Sequence, residues 1–318
     1  MLNSYEGPPI VTRFPACILA TCCVPWDEDG RFLAAPFEAQ VRRLARLTPQ
    51  LYVFGTAGEG YAVDDESFLA VVESFRRTAT EVAVEPMVGV ISLSLPTIVR
   101  RIDEARGLGI RRFQISLPSW GPLNDAEVDA FFAHTCGRFA DCEFLHYNPL
   151  RTKRLLTPED YARLADRHPN LTATKNSTDS IGRIAGLLRT APQLRHFFTE
   201  TGFGYAARIG ECGLLASVST TNHGRCRAYF AAGSRRDAAA LASYDEELAA
   251  VTQAVVESVG PGPHMDGAYD KLIYGLHDPT FPLRLLPPYQ GSDDAARQRL
   301  SEALRRRAPR WLPDAAAD

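Results

Sequence analysis

Long uninterrupted apolar stretches are missing from this sequence, and no run approaches the roughly 18 residues that a membrane span needs. Blocks of one charge are missing too: Lys and Arg number 35 against 38 Asp and Glu, for a formal net charge of −3. Without a basic stripe, nucleic acid is not an expected partner, and the arginines at 305–307 read as the solvated face of a helix. The first fifteen residues lack the charged-then-apolar pattern of a secretion signal, so a cytoplasmic protein is expected. A cysteine framework is absent as well. The seven cysteines (Cys17, Cys22, Cys23, Cys136, Cys142, Cys212 and Cys226) are odd in number and scattered, which argues against disulfides and for small buried thiols. Nothing near the Cys22-Cys23 pair has metal-ligand spacing, and no metal is expected. No G-x-G-x-x-G follows the first apolar run, which weakens a dinucleotide-binding reading.

What the sequence does contain is alternation. Short apolar runs, read as strands, fall at 16–23, 51–54, 84–90, 112–117, 142–147, 171–175, 196–199 and 214–218. Between them lie amphipathic stretches with apolar residues at helical spacing, at 37–47, 64–79, 96–107, 125–139 and 181–189. Asp64 or Asp65 suits the N-cap of the second helix. Thr157-Pro158-Glu159-Asp160 opens another, with Thr157 as N-cap and proline at the first helical position. Eight such units in about 250 residues favour a closed parallel barrel over an open sheet. The expected fold is therefore α/β, a (β/α)₈ TIM barrel with an appended C-terminal helical bundle. Residues 1–225 would form the barrel core, and 226–318 the closing barrel helix and the extension, with helices over 225–256, 265–275 and 293–307.

Barrel chemistry is built at the C-terminal ends of strands, and three polar segments fall there. These are Gly55-Thr56-Ala57-Gly58-Glu59-Gly60 after strand two, Tyr147-Asn148-Pro149 after strand five, and Lys175-Asn176-Ser177 after strand six. Tyr147 and Lys175 are one β-α unit apart, so they should sit at similar height on neighbouring strands. If both point inward, period-two alternation turns Leu145, Glu143 and Ala173 inward and sends Phe144 and His146 toward the helices. A lysine enclosed there loses the solvation that keeps it charged, which frees the amine to attack a ketone. The neighbouring phenol could move protons. The glycine-rich turn could aim backbone N–H groups at a carboxylate.

These segments, in this order, resemble the dihydrodipicolinate synthase / N-acetylneuraminate lyase family. That family reads G-[TS]-T-G-E, Y-N-x-P and G-x-K-[DN]-[ST]-[ST] at the three places. Pro25-Trp26-Asp27-Glu28-Asp29-Gly30 is similar to its T-P-F-x-x-D-G, and the segment Phe281-Pro282-Leu283-Arg284-Leu285-Leu286-Pro287 to its R-x-P-L tail. The resemblance implies that Lys175 forms the Schiff base, that Tyr147 is the proton-transferring phenol, and that Thr56 steers this tyrosine. It further implies that Gly55, Thr56 and Ala57 hold the carboxylate of pyruvate, that an aldehyde is the second reactant, and that the chain forms a homotetramer of two tight dimers. No cofactor is implied.

Departures from the pattern bear on substrate. Ala57 replaces a second hydroxyl residue. Pro118-Ser119-Trp120 stands where the synthases have P-Y-Y, and an indole cannot pass on a proton as a phenol does, so a true dihydrodipicolinate synthase is disfavoured. The segment carrying Arg151 is one residue shorter, although Arg151 could still grip an acidic group. Ala173 replaces a glycine, and Gly213-Leu214-Leu215-Ala216-Ser217 matches G-x-x-G-x-[IV]-S loosely. Thr21 and Ser217 are candidate pocket lining, and Ser119 and Trp120 candidate specificity residues, Trp120 also a candidate interface anchor. His146 is read as packing under a helix, His223 and His264 as solvent-facing turn residues, and Glu59 as a partner of loop backbone. The leading expectation is a pyruvate-dependent class I aldolase or lyase. A Schiff-base sugar-acid dehydratase and a non-catalytic barrel that binds a small acid are the alternatives.

Overall fold

Strand pairing sets the architecture. The computed structural model describes residues 13–314. In it eight parallel strands close into a barrel in sequence order, and the last returns to the first through Ile18↔Leu214. The strands are β1 (Ile18–Thr21), β2 (Gln50–Val53), β3 (Glu85–Gly89), β4 (Arg112–Ile115), β5 (Glu143–Tyr147), β6 (Leu171–Asn176), β7 (Arg195–Phe198) and β8 (Gly213–Ala216). Between them run α1 (Ala34–Ala45), α2 (Asp65–Glu81), α3 (Leu95–Gly107), α4 (Asp125–Phe132), α5 (Pro158–Arg167), α6 (Ile181–Thr190) and α7 (Glu200–Ile209). After β8 come α8 (His223–Ser234), α9 (Ala238–Val259), α10 (Asp266–Tyr274) and α11 (Asp294–Arg307).

Local chemistry explains where the helices start. Asp64 accepts from the Ser67 N–H, and Thr157 and Asp160 form a reciprocal capping box with Pro158 in the first turn, which satisfies N–H groups that have no partner inside the helix. Alternation holds along the strands except at the start of β6, where a register shift against β5 between Phe144 and Leu145 puts Leu171 and Ala173 on opposite sides. Leu19, Tyr52, Met87, Leu145, Ala173, Phe197 and Leu215 pack with Phe14 inside the barrel, while Phe113, Phe144 and Leu171 join the outer layer under the helices. His146 faces outward, with Nδ1 2.8 Å from the Tyr161 hydroxyl of α5. Six of the seven cysteines are buried, and all are free thiols.

The end of the barrel away from the polar turns is sealed. Phe14 pairs its N–H with the Thr172 carbonyl at 3.2 Å and receives the Arg195 Nε on its own carbonyl at 3.0 Å. The Arg112 guanidinium lies 4.8 Å over the Phe14 ring and donates to Glu143 at 2.7 Å and to Gln50 at 2.9 Å.

Several elements differ from the sequence expectation. β1 and β8 are shorter than 16–23 and 214–218, because the chain leaves the sheet beyond the Cys22 N–H, which bonds the Tyr52 carbonyl at 2.8 Å, and, after Ala216, coils into a 3₁₀ turn at Val218–Thr221. The helix expected at 125–139 loosens into a π-turn at Ala133–Gly137. The helix expected at 225–256 is two. Arg236 takes a left-handed φ of 55° and the Asp237 side chain caps α9, so the chain stops and restarts. Helix α7 had no counterpart in the sequence reading, because Gly202 and Gly204 look like breakers. They serve packing instead: a Cβ on Gly204 would meet Asp245 Oδ1 at 2.1 Å.

Candidate active site

Tyr147 and Lys175 are register partners on β5 and β6, and both side chains turn into the mouth of the barrel. Each is 4% exposed. The Lys175 amine sits 4.1 Å from the centre of the Tyr147 ring and donates a hydrogen bond to the Tyr52 hydroxyl at 3.0 Å. Burial pulls its pKa from 10.5 down to about 8, against the raising influence of Asp266 and Asp270. An ammonium here has lost most of its water, and neither ring nor phenol replaces that solvation in full. Burial moves the phenols the other way, Tyr52 furthest. For Tyr147 the hydroxyls of Thr56 and Ser177 work against that rise.

The polar turn after β2 is tightly built. Phe54 and Glu59 both hold left-handed backbone, at φ 61° and 59°, and the N–H groups of Glu59 and Gly60 return to the carbonyls of Thr56 and Gly55. Gly55 passes so close to the Tyr52 ring that a Cβ would meet it at 2.5 Å, and a Cβ on Gly58 would meet the Phe54 nitrogen at 2.7 Å. This packing presents Ala57 to the cavity. Glu59 turns away from it and accepts from the Leu286 N–H at 2.6 Å and, in buried bonds, from the Trp26 indole at 3.0 Å and from Lys271 at 2.5 Å. The backbone role expected for Glu59 is present, and Lys271 is a partner the sequence reading did not name.

A cavity of about 250 Å³ brings together Thr21, Tyr52, Ala57, Tyr147, Lys175, Ser177 and Ser217. Thr56 flanks it through Tyr147, and Gly55 supports it from behind. Three members were missed in the sequence. Tyr52 belongs to the inward set of β2, which alternation alone would have selected. Asp266 and Asp270 come from α10, beyond the barrel's own repeat. Asp270 accepts from the Ser217 hydroxyl at 2.9 Å, and burial, with Asp266 nearby, raises its pKa to about 7. Arg151 stands at the rim, half exposed, and pairs with Asp266 at 2.8 Å.

Other expected residues lie elsewhere. Trp120 is 83% exposed, and neither it nor Ser119 lines the cavity. The Lys153 amine donates to the Trp120 carbonyl at 2.7 Å, which ties this loop to the one after β5. His223 begins α8 and packs against His277 with ring centres 4.7 Å apart, so it is a packing residue rather than a solvent-facing one. His264 bonds the Pro261 carbonyl at 3.3 Å, also outside the cavity. A larger cavity of about 520 Å³ opens between α7 and α9, but its charged groups are already engaged: Arg208 pairs with Asp245 at 2.8 Å, Glu257 pairs with Arg307, and Glu200 accepts from Ser219. Among the described residues no cluster of His, Cys, Asp and Glu could hold a metal ion, and no helix is long and apolar enough to cross a membrane.

Fold and site together define a class: a (β/α)₈ barrel with an enclosed amine among hydroxyls at the C-terminal ends of its strands. The chain belongs to the dihydrodipicolinate synthetase family, whose sequence profile matches residues 15–268. It is 29% identical over 173 residues to a probable 5-dehydro-4-deoxyglucarate dehydratase of Cereibacter sphaeroides, covering 52% of this chain and 54% of that one. The chain thus aligns with only about half the length of that relative. It is 24% identical to the 4-hydroxy-tetrahydrodipicolinate synthase of Exiguobacterium sibiricum, over 81% of this chain and 88% of the other. Its fold is similar to that of YagE, a prophage protein of E. coli K12 solved in complex with pyruvate, with a TM-score of 0.79 at 18% identity, covering 92% of this chain and 98% of that one.

Proposed function

We propose that this protein is a carbon–carbon lyase that joins or separates a 2-oxo acid such as pyruvate and an aldehyde through a Schiff base on Lys175. One observation carries the reading: an amine with a lowered pKa, enclosed at the barrel mouth, lies 4.1 Å from the phenol ring of its register partner. The neutral amine adds to the ketone carbon, and the carbinolamine takes up a proton and loses water to leave an iminium. That cation draws electrons from the adjacent carbon. Loss of a proton there gives an enamine whose carbon attacks the aldehyde; in the reverse sense the aldehyde leaves as the bond breaks. Water then adds to the iminium and releases the product.

Tyr147 is suited to move the protons of carbinolamine collapse and of the aldehyde oxygen, with Thr56 and Ser177 orienting its hydroxyl. The backbone N–H groups of Thr56 and Ala57 are suited to seat the carboxylate. The iminium itself is the electron sink, so the chemistry calls for no metal or organic cofactor. Sodium borohydride with pyruvate should add a covalent mass to the wild-type chain that Lys175→Ala abolishes. A wild-type chain that stays unmodified would overturn the reading.

The likeness to a probable dehydratase supports a second reading, in which the same Schiff base expels water from a sugar acid. Release of free pyruvate on turnover marks aldol cleavage; its absence marks dehydration. We further propose a cytoplasmic homotetramer in which the exposed Trp120 anchors a contact between subunits.

A further inference from the structure

Resting on the Schiff-base reading above, we propose that α10 makes the second-substrate end of the pocket select uncharged, hydroxylated aldehydes. Asp266 occupies the Arg151 guanidinium from within the chain, and Asp270 offers its carboxyl to the incoming hydroxyls.

Residues four apart on a helix share a face, and α10 turns both aspartates onto the cavity that holds Lys175. Arg151 stands where it could grip a phosphate or carboxylate, yet its Nη2 is already 2.8 Å from Asp266 Oδ1. An external anion must displace a partner that never diffuses away, which weakens its binding by the effective concentration of the tethered one. Asp270 is held by the Ser217 hydroxyl at 2.9 Å and remains partly open to the cavity. A fixed carboxyl is a good partner for sugar hydroxyls.

Charge balance agrees. Once the 2-oxo acid is bound as the iminium, the pocket holds that cation and Arg151 against the substrate carboxylate, Asp266 and Asp270. A second anion therefore enters against net negative charge. With Asp270 protonated the balance reaches neutrality and no further. Selection here works by repulsion as much as by attraction.

The test uses the full chain with pyruvate and a matched pair, glyceraldehyde and glyceraldehyde 3-phosphate. The wild type should favour glyceraldehyde by about tenfold or more in kcat/KM. Asp266→Asn should shrink that ratio about tenfold, chiefly through a lower KM for the phosphorylated aldehyde, because Arg151 is released. Should that variant not fold, inorganic phosphate on the wild type decides: the inference expects no competition with glyceraldehyde, and competitive inhibition overturns it. Borohydride trapping runs in parallel. No adduct at Lys175 sinks the Schiff-base reading and this inference with it. An adduct together with equal or better use of the phosphorylated aldehyde, with no use of either aldehyde, or with an unchanged ratio in Asp266→Asn, overturns the inference alone.

Discussion

An amine that loses water before it gains a partner becomes a better nucleophile at lower pH, and Lys175 is placed to use this. With its pKa near 8 rather than 10.5, the rate of pyruvate-dependent borohydride trapping should climb through about pH 8 and level off above it. A midpoint near 10 would mean that the amine is solvated. The same shift acts on stability. Between about pH 8 and 10.5 the unfolded chain binds a proton at this position that the folded chain does not, so stability rises with pH across that window. Asp270 has the opposite sense. Its pKa is raised from 3.8 to about 7, so the folded chain holds the extra proton, and this contribution is complete below pH 3.8 and lost as pH rises through 7. Urea midpoints for Asp270→Asn should show a flatter pH dependence across that interval than the wild type. Tyr147→Phe should lower turnover by roughly 10²- to 10⁴-fold, the usual range for removing a general acid–base group, as measured by pyruvate release.

Elements were legible where the signal is local. Caps at Asp64 and Thr157, and the inward alternation of Leu145, Tyr147, Ala173 and Lys175, follow from short spacings alone. The same rule reaches Tyr52 on β2, a phenol that the pattern of polar strand ends did not single out. Helix α10 is a different case. Its sequence gives a helix, but nothing local says which face docks over the barrel, so Asp266 and Asp270 could not be placed. The buried pair between Glu59 and Lys271 shows what holds this helix down: a carboxylate in the β2 turn bonds an ammonium on α10 at 2.5 Å with both side chains fully buried. Lys271→Met leaves that carboxylate without its counter-charge and should cost about 3–5 kcal/mol, read from urea unfolding. The double variant with Glu59→Gln should recover part of the loss. If the single variant is as stable as the wild type, the pair does not anchor α10.

At the scale of the whole molecule, eight strand-helix units were enough to give the barrel. The break between α8 and α9 is marked only weakly, by Gly233-Ser234 and the capping Asp237, inside a stretch otherwise rich in helix-forming alanine, and nothing in Arg236 itself signals its left-handed turn. Specificity residues on loops were the least legible, since Ser119 and Trp120 sit at the expected position in the order of segments yet do not line the cavity that holds Lys175. If Trp120 anchors a subunit contact, Trp120→Asp should shift the mass in solution from tetramer toward smaller species by light scattering while borohydride trapping at Lys175 persists. A monomeric wild type would end that proposal.

The stopper at the base of the barrel has a kinetic consequence. Phe14, held between Thr172, Arg195 and Arg112, plugs the base of the barrel, so ligands are expected to reach Lys175 through its mouth. Whatever enters deepest must leave last. If the proposed reaction holds, the joining direction requires the keto acid to be seated before its aldehyde arrives, and the splitting direction requires the aldehyde to depart while its former partner is still tethered.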